Sequence, residues 1–310
     1  MSMNILITGS EGYIGARLVE KLRLNHNVFG IDIRDTHAGY YHYRKMDIRS
    51  PELKDLIRTA RITHVIHLAS IVQPGPDREH DYDVDVNGTR NLLDACVINH
   101  VEHITVTSSG AAYGYYADNP EWLRETDAIR GNYSFPYSYH KRLVEEMLAE
   151  YAQTAPQLKQ LILRPGTVLG LNTDNLITNL FRKKRLLAVA GSRSPFVFIW
   201  DEDVVDIIRQ GTEQSITGKY NLAGDGAMSI QEIALTLGKK NLTIPAVVLK
   251  TLLAAGKALG LTRYGPDQLD FLRYRPVLDN QALKTQFGYT PKKTSREVFT
   301  LYARHQGLLP

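Results

Sequence analysis

The chain has 310 residues, of which 43% are hydrophobic and 23% are charged, and its formal net charge is +4. This length suits one large α/β unit or two lobes that share a cleft. The single cysteine, Cys96, rules out a disulfide within the chain, and the sequence has neither a run of about 18 apolar residues nor a basic stripe. We therefore expect a cytoplasmic protein with no nucleic-acid or membrane partner, in which the basic cluster 182–185 lies on a solvated helix face.

Apolar strands and amphipathic helices alternate through the first half of the chain. The hydrophobic pattern predicts strands at residues 4–8, 27–32, 42–48, 63–69, 103–109 and 159–165. It predicts helices at residues 12–24, 51–60, 83–99 and 137–154. This alternation is typical of a parallel sheet with helices on both faces.

The pattern changes after residue 165, where loops lengthen and Gly, Asn and Pro become frequent. Short strands are predicted at 196–200 and 218–224, and helices at 229–237 and 246–259. A helix over 202–211 is compatible with a return of the chain to the first lobe. We assign the chain to two lobes, a large one with a cofactor site and a smaller α/β one for the substrate: residues 1–165 plus about 198–223, and residues 166–197 plus 224–310.

The segment TGSEGYIG, residues 8–15, follows the first predicted strand. In a strand–turn–helix unit, Gly9 permits the tight turn, Gly12 lets the backbone approach a pyrophosphate, and Gly15 lets the helix pack on the strand. The second strand ends in Asp32, close to the ~20-residue spacing at which a carboxylate accepts the ribose hydroxyls of a dinucleotide. We therefore predict an NAD site, with NADP as the less favoured alternative because Arg34 follows the acid.

Two further stretches bring acid–base groups to the same edge of the sheet. Ser108 and Ser109 end the fifth predicted strand, at the edge where open α/β sheets bind ligands. Tyr137 and Lys141 are four residues apart in a predicted helix, so their side chains share one face. A free phenol has a pKa near ~10, and a neighbouring ammonium with a cationic nicotinamide is expected to lower it. The sequence predicts that Tyr137 is an acid–base group tuned by Lys141.

These motifs resemble those of the extended short-chain dehydrogenase/reductases, also called the NAD-dependent epimerase/dehydratase family, over most of the chain. The resemblance implies an enzyme with a Rossmann-type doubly wound parallel sheet and a smaller α/β substrate-binding lobe. It implies that Ser109, Tyr137 and Lys141 are catalytic, Ser109 standing four residues before Tyr113 in SSGAAYG. It also implies that NAD is bound by the glycine turn, the strand ends and the motifs after them: Gly9, Gly12, Tyr13, Ile14, Gly15, Asp32, Arg34, Asp47, Ile48, Leu68, Ala69, Ser70, Asn87, Thr107, Ser108, Tyr137, Lys141, Pro165, Gly166 and Val168.

The resemblance leaves the reaction open. Family dehydratases carry an Asp-Glu pair directly after the catalytic hydroxyl residue, and here those positions hold Gly110 and Ala111, which disfavours dehydration. The leading hypothesis is an epimerase of a nucleotide sugar, similar to UDP-glucose 4-epimerase, which oxidises the sugar transiently. Its expected substrate contacts are Ser109, Gly110, Ala111, Asn175 and Arg193; Asn175 equally suits a helix N-cap.

One position favours an alternative. In nucleotide-sugar members an arginine that binds the diphosphate precedes the motif DEDVV, and here Phe196 holds that place. The segment SPFVFIWDEDVV is more similar to members that act on less polar substrates, such as hydroxysteroid- or dihydroflavonol-type reductases. An NAD(P)-dependent dehydrogenase or reductase of a non-nucleotide alcohol or ketone is therefore the alternative. A cofactor-sensing protein without catalysis is a third hypothesis, disfavoured because Tyr137 and Lys141 are both present.

Association and metal binding are the remaining questions. Family members pair the helices at 83–99 and 137–154 into a four-helix bundle, so we expect a homodimer. Support comes from apolar residues on those helices beyond what one sheet face needs: Leu92, Leu93, Leu143, Met147 and Leu148. No metal site is predicted, since His100 and His103 have no further ligands in the pattern. We expect His67 to pack beside the cofactor rather than to carry protons.

Overall fold

The structure, a computed structural model, describes residues 2–35, 39–73, 75–260, 265–266 and 269–309. Its strands are β1 Asn4–Thr8, β2 Asn27–Asp32, β3 His42–Lys45, β4 His64–His67, β5 His103–Thr107, β6 Lys159–Pro165, β7 Thr167–Leu169, β8 Arg185–Val189, β9 Phe198–Trp200, β10 Gly218–Leu222 and β11 Lys240–Ile244. Its α-helices are α1 Tyr13–Leu22, α2 Leu53–Thr59, α3 Arg78–Tyr82, α4 Gly88–Ile98, α5 Pro136–Thr154, α6 Leu176–Arg182, α7 Asp201–Glu213, α8 Ile230–Thr236, α9 Ala246–Ala258, α10 Leu269–Arg273 and α11 Ser295–His305.

Seven strands form one parallel sheet in the order β10-β6-β5-β4-β1-β2-β3. The strand order reverses between β1 and β4, because β2 and β3 are added on one side of β1 and the later strands on the other. In open α/β sheets, ligands bind in the crevice at the carboxyl ends of the strands beside such a reversal. This architecture confirms the predicted doubly wound fold.

Side chains that alternate along the strands fill two layers of core. Ile5 and Ile7 of β1 pack with α1 and α7 on one face of the sheet, whereas Leu6 packs with α2, α4 and α5 on the other. Burial of each such side chain stabilises the fold by roughly 1.5–3 kcal/mol. The two layers fix the carboxyl ends of β1, β4 and β5 at one edge.

The strands outside the large sheet form two short parallel pairs, β7–β9 and β8–β11. A core of packed aromatic rings joins them to α11, with Phe181, Phe196, Phe198 and Phe299 at its centre. By contrast, β10 lies in the large sheet beside β6, and α7 packs on the same face of that sheet as α1. The division into lobes at the predicted boundaries stays a proposal.

Several local expectations need correction. The helix predicted at 83–99 is divided into a π-helical stretch, Asp83–Asn87, followed by α4. The basic cluster 182–185 is exposed, but it lies at the turn from α6 to β8 and not along a helix face. Within the described part of the chain, no helix is long and apolar enough to cross a bilayer.

The residues offered in support of a homodimer belong to the chain's own core. Leu92, Leu93, Met147 and Leu148 are buried in the layer beneath α4 and α5, and Leu143 is half-buried against it. These residues therefore leave little apolar surface for a partner. The homodimer stays a prediction, but these apolar residues no longer support it.

Candidate active site

The glycine turn between β1 and α1 consists of bare backbone at the carboxyl edge of the sheet. Gly9 has φ +71°, and a Cβ there would come 3.0 Å from the Ala69 nitrogen just beyond β4. A Cβ at Gly15 would lie 2.2 Å from the Gly9 carbonyl oxygen, a distance that only glycine avoids. Gly12 is the N-cap of α1 and has no side chain with which to cap the first N–H groups. Free N–H groups at the positive end of a helix dipole fit a pyrophosphate.

Asp32 ends β2 with its carboxylate against the same turn. Its Oδ2 accepts a hydrogen bond from the Glu11 backbone N–H at 3.1 Å, and its Oδ1 accepts one from the Arg34 N–H at 3.2 Å. The Arg34 side chain is exposed and donates to the Glu11 carbonyl. A half-buried carboxylate at this position accepts hydrogen bonds from ribose hydroxyls and repels a 2′-phosphate, so Asp32 suits NAD.

Asp47 and Ile48, the predicted adenine contacts, have partners within the chain. The Asp47 carboxylate accepts hydrogen bonds from the Arg49 backbone and guanidinium at 2.7–3.0 Å, and these bonds hold the pKa of Asp47 below its ordinary value. Arg49 also pairs with Asp83 at 2.8 Å. Ile48 is buried against Gly88.

Tyr137 and Ser109 form the centre of the site. Tyr137 lies in the first turn of α5, where the neighbouring Ser109 hydroxyl acts to lower the pKa of its phenol. Ser109 is the N-cap of the short 3₁₀ turn Gly110–Tyr113, and its Oγ accepts a hydrogen bond from the Ala111 N–H at 3.1 Å. Because Oγ accepts from the backbone, its own proton remains available for donation to a phenolate or to a substrate oxygen.

Lys141 lies one helical turn after Tyr137. Its Nζ is 5.7 Å from the Tyr137 ring centroid and donates to the Thr107 carbonyl at the end of β5 at 3.0 Å. Burial lowers the pKa of Lys141, while the charges of Asp85 and Glu145 oppose that change. The ammonium is thus held between the phenol and the edge of the sheet.

The protein groups around Tyr137 act against the expected lowering of its pKa. Burial raises the pKa of Tyr137 above its ordinary value, the hydrogen bond from Ser109 opposes this, and the negative charge of Asp85 adds to it. Desolvation therefore outweighs the hydrogen bond from Ser109, so with the protein groups alone the pKa of the phenol stays above its ordinary value. The expected lowering requires a further positive charge.

A buried acid–base pair lies behind Lys141. The Asp85 Oδ2 and the His140 Nδ1 are 2.9 Å apart, and the Asp85 Oδ1 accepts hydrogen bonds from the Ser70 hydroxyl and the Ile71 N–H at 3.1 and 2.8 Å. Burial opposes ionisation of Asp85, but the hydrogen bond with His140 and the Lys141 charge hold its pKa below the ordinary value. A cavity of about 10 Å³, room for one water, lies between this pair and Lys141.

Asp85 is the residue of this segment that lies beside Lys141, whereas the predicted cofactor contact Asn87 has a partner within the chain. Asn87 is exposed and donates to the Asp83 carboxylate at 2.8 Å. The π-helical stretch Asp83–Asn87 carries one extra residue per turn, which rotates the following side chains relative to an α-helix. A helical pattern read from the sequence misses this rotation.

His67 is a neutral structural residue. Its Nδ1 lies 2.7 Å from the Thr8 hydroxyl and its Nε2 lies 3.0 Å from the Thr89 hydroxyl. Burial lowers the pKa of His67 to about 3, with the Lys141 charge as the second cause. These contacts agree with the packing role predicted from the sequence.

A buried ion pair fixes the end of β5 from the other side. Glu145 of α5 accepts hydrogen bonds from the Arg164 guanidinium at 2.5–3.1 Å and from the Ser108 hydroxyl at 2.5 Å. Arg164 also donates to the Tyr113 hydroxyl at 2.7 Å. The Ser108 side chain therefore faces this pair, which orients the next residue, Ser109, toward Tyr137.

Three further aromatic residues, which we call the aromatic cluster, line the site beside Tyr137. Ring centroids are 6.1 Å apart for Phe135 and Tyr137, 4.0 Å for Phe135 and Phe271, and 4.4 Å for Phe271 and Tyr115. Residues from two distant parts of the chain thus form one apolar wall of the site.

Arg275 lies at the far side of the aromatic cluster. Its guanidinium is 4.0 Å from the Phe196 ring centroid and donates to the Ser194 carbonyl and hydroxyl at 3.0 and 2.9 Å. Burial lowers its pKa to about 10, and the neighbouring Tyr115 opposes this. Among the described residues, no acid forms an ion pair with Arg275.

The other predicted site residues occupy varied positions. The Tyr13 hydroxyl donates to Asp201, and burial followed by this hydrogen bond raises its pKa to about 12. The Asn175 side chain caps α6, so the N-cap role is present. Arg193 lines a cavity of about 490 Å³ together with Trp122 and Val277. Gly110 and Ala111 are buried, and Gly110 packs against Leu278. The remaining residues are half-buried at the starts of helices or the ends of strands: Ile14, Leu68, Ala69, Ser70, Thr107, Pro165, Gly166 and Val168.

Sequence reasoning did not identify Asp85, His140, Arg275 or the aromatic cluster. His140 stands directly before Lys141 in YSYHK, so its position in the motif could have indicated that it lies near the site. Arg275 and Phe271 had none, because only the tertiary fold brings them to residues far earlier in the chain.

Comparisons with known proteins agree with this geometry. A model of the "NAD dependent epimerase/dehydratase family" matches residues 5–223. The N-acetyl-alpha-D-glucosaminyl-diphospho-ditrans,octacis-undecaprenol 4-epimerase of Escherichia coli O157:H7 is 30% identical over 184 residues, covering 59% of this chain and 54% of that protein.

Two similar solved structures are UDP-glucose 4-epimerases. The enzyme of Thermotoga maritima, crystallised with UDP-glucose, has a TM-score of 0.76 at 20% identity and covers 98% of this chain and 99% of its own. The enzyme of Thermus thermophilus, in complex with NAD, has a TM-score of 0.74 at 24% identity and covers 98% of each chain. These likenesses show the shared fold.

The fold, the glycine turn and the Ser–Tyr–Lys set define an NAD-dependent enzyme built on a Rossmann-type sheet. The chain belongs to the NAD-dependent epimerase/dehydratase family, whose model covers most of its length. The predicted family and cofactor are thereby confirmed.

Proposed function

We propose that this chain is an epimerase of a nucleotide sugar, similar in reaction to UDP-glucose 4-epimerase, with Ser109, Tyr137 and Lys141 as its catalytic residues. The relative and the two structures described above are, by their names, 4-epimerases of sugars carried on a diphosphate. The observation that carries the proposal is Arg275, a cation beside the site. Within the described chain no acid pairs with it, so an anionic substrate can supply its counter-ion.

The catalytic residues fit reversible oxidation of a sugar hydroxyl. Tyr137 removes the hydroxyl proton, and the Ser109 hydroxyl donates to the same substrate oxygen and stabilises negative charge there. Lys141 holds a positive charge near the phenolate. NAD, when bound, supplies the hydride acceptor and the positive charge of its nicotinamide ring. The phenol formed when Tyr137 takes the hydroxyl proton can return that proton to the oxygen after the keto sugar has turned over.

Arg275 suits the diphosphate of such a substrate. A guanidinium binds phosphate oxygens through two parallel hydrogen bonds, and a charge-assisted bond contributes roughly 1.5–3 kcal/mol. Phe196 occupies the place where nucleotide-sugar members carry an arginine, and Arg275 stacks on that phenylalanine ring. We infer that Arg275 supplies from the smaller lobe the cation that position 196 lacks.

A reductase of a non-nucleotide alcohol or ketone is the second candidate. The aromatic cluster beside Tyr137 and the buried Phe196 favour it, because they would suit an apolar substrate. The same catalytic residues would then protonate the substrate oxygen once per turnover, and the cofactor would be exchanged.

Two assays separate the candidates. The full chain is incubated with UDP-glucose or UDP-galactose, and separately with NADH and a panel of ketones. We expect epimer exchange without net change in NADH, and an Arg275→Met variant should raise KM for the nucleotide sugar by at least about 10-fold. The matched variant Arg193→Met tests the arginine that the sequence predicted as a substrate contact. Net NADH oxidation by a ketone, with no epimer exchange, would establish the reductase instead.

A homodimer and a cytoplasmic location stay predictions. Sedimentation velocity at micromolar concentration tests the first, and a single species of 35.0 kDa would refute it.

A further inference from the structure

The smaller lobe exposes an apolar helix surface. Helix α9 buries one stripe of side chains around Leu249, which packs against β8 and α10. On other faces of the helix, Val247 is 77% exposed and Leu252 57%, and Leu259, the residue after the helix, is 72% exposed. Leu252 and Leu259 are seven residues apart and share a face. Single exposed apolar residues are ordinary, but several on one helix mark an interaction site.

The segment that contains this helix carries only basic charges, although Asp270 of α10, which packs against the helix, is acidic. Residues 233–266 contain no Asp or Glu. Lys250 and Lys257 are exposed on α9, with alkyl stems long enough to keep the ammonium groups in water while the helix lies on an apolar phase.

A second acid-free stretch pairs with the first. Residues 175–200 contain no Asp or Glu, and strand β8 within them pairs with β11 in a register that sets Lys240 beside Arg185. Within the described chain, Lys183, Lys184 and Arg185 form no ion pair, and all three are exposed. An exposed basic cluster therefore lies at the start of the strand pair on which α9 packs.

We propose that α9 and the basic residues 183–185 and 240 form a docking surface for an anionic lipid membrane. Apolar side chains of a surface helix enter the boundary of headgroups and acyl chains, and basic residues nearby are attracted to anionic lipid. A second copy of this chain fits less well, because a two-fold contact would set the same basic clusters against each other. The surface is independent of the reaction proposed above.

Sedimentation of the full chain with vesicles tests the proposal. We expect binding to vesicles of phosphatidylcholine with about 30% phosphatidylglycerol, at least about 10-fold weaker binding to phosphatidylcholine alone, and release as salt rises from about 0.05 to 0.5 M. A Leu252→Ser/Leu259→Ser variant should bind at least about 10-fold more weakly. Its matched control is Leu24→Ser/Ile98→Ser, since those side chains are 71% and 54% exposed on the larger lobe.

A second pair of variants tests the role of charge. Lys183→Glu/Lys184→Glu is compared with the control Lys54→Glu/Lys159→Glu, and all four lysines are exposed. Only the Lys183→Glu/Lys184→Glu variant should lose binding to anionic vesicles. If circular dichroism shows that the leucine variant does not fold, this lysine variant still tests the proposal. Equal binding to neutral vesicles, or none to anionic ones, would overturn the proposal. A dimer that only the leucine variant dissociates would also overturn it, in favour of self-association.

Discussion

The buried ion pair behind Ser109 allows a quantitative test of the site's framework. Arg164 and Glu145 are both buried, and the guanidinium contacts both carboxylate oxygens and the Tyr113 hydroxyl. Arg164→Met leaves the Glu145 carboxylate buried with Ser108 as its remaining donor. Removal of one partner of a buried pair costs about 3–5 kcal/mol, so we expect a loss of this size in the free energy of unfolding.

A double variant separates the unpaired charge from lost packing. Arg164→Met/Glu145→Met removes the anion as well, so it should recover more than half of the loss. The control lies on the same helix: Arg142 and Glu146 form an exposed pair at 2.7 Å, and Arg142→Met should cost less than about 1 kcal/mol.

Urea unfolding followed by far-ultraviolet circular dichroism measures these differences. Catalysis should fall in Arg164→Met as well, because Ser108 and Glu145 orient the residue after them. A loss below about 1 kcal/mol for Arg164→Met, or a double variant no more stable than the single one, would refute the reasoning.

Three further changes test the cofactor site and its surroundings. Gly15→Ala should abolish detectable NAD binding in a fluorescence titration, because the new Cβ would lie 2.2 Å from the Gly9 carbonyl; Gly75→Ala, with no contact below 3.6 Å, should bind normally. Asp32→Ser should raise the ratio of NADP to NAD affinity by at least about 10-fold, and an unchanged ratio would remove Asp32 from ribose recognition. His67→Gln should flatten the pH dependence of stability. Burial lowers the folded-state pKa of His67 from 6.5 to about 3, so between these values the unfolded chain binds one more proton. The wild type should lose about 1.4 kcal/mol per pH unit on acidification through that window, and equal slopes in urea titrations of the two proteins would contradict this.

The centre of the large sheet was predictable because its inner strands are short apolar runs buried on both faces, unlike the exposed edge strand β3. The predicted strand 4–8 agrees with β1 residue for residue, and 159–165 agrees with β6. The smaller lobe was less predictable, since β8 and β11 are partly exposed strands with mixed patterns. Helix α11 was missed although Thr294 and Glu297 form a capping box, a signal that the sequence carries.

The catalytic set was predictable because its members lie in short local motifs. Tyr137 and Lys141 share a helix face, and Ser109 follows a strand whose end the fold must place nearby. The sign of the Tyr137 pKa shift was not predictable, because burial depends on side chains from the whole site. Arg275 also depends on the tertiary fold, which brings it to Phe196 from a distant part of the chain.

The most direct test of the account compares Tyr137→Phe with Tyr139→Phe in the exchange of UDP-glucose and UDP-galactose, with NAD affinity measured in parallel. Tyr139 lies two residues away and packs on Tyr133, with ring centroids 5.2 Å apart, so its variant controls for the loss of a hydroxyl. We predict that Tyr137→Phe lowers turnover by at least about 100-fold with NAD affinity within about threefold of wild type, and that Tyr139→Phe stays active. Turnover by Tyr137→Phe near the wild-type rate would contradict the assignment of this phenol as the acid–base group.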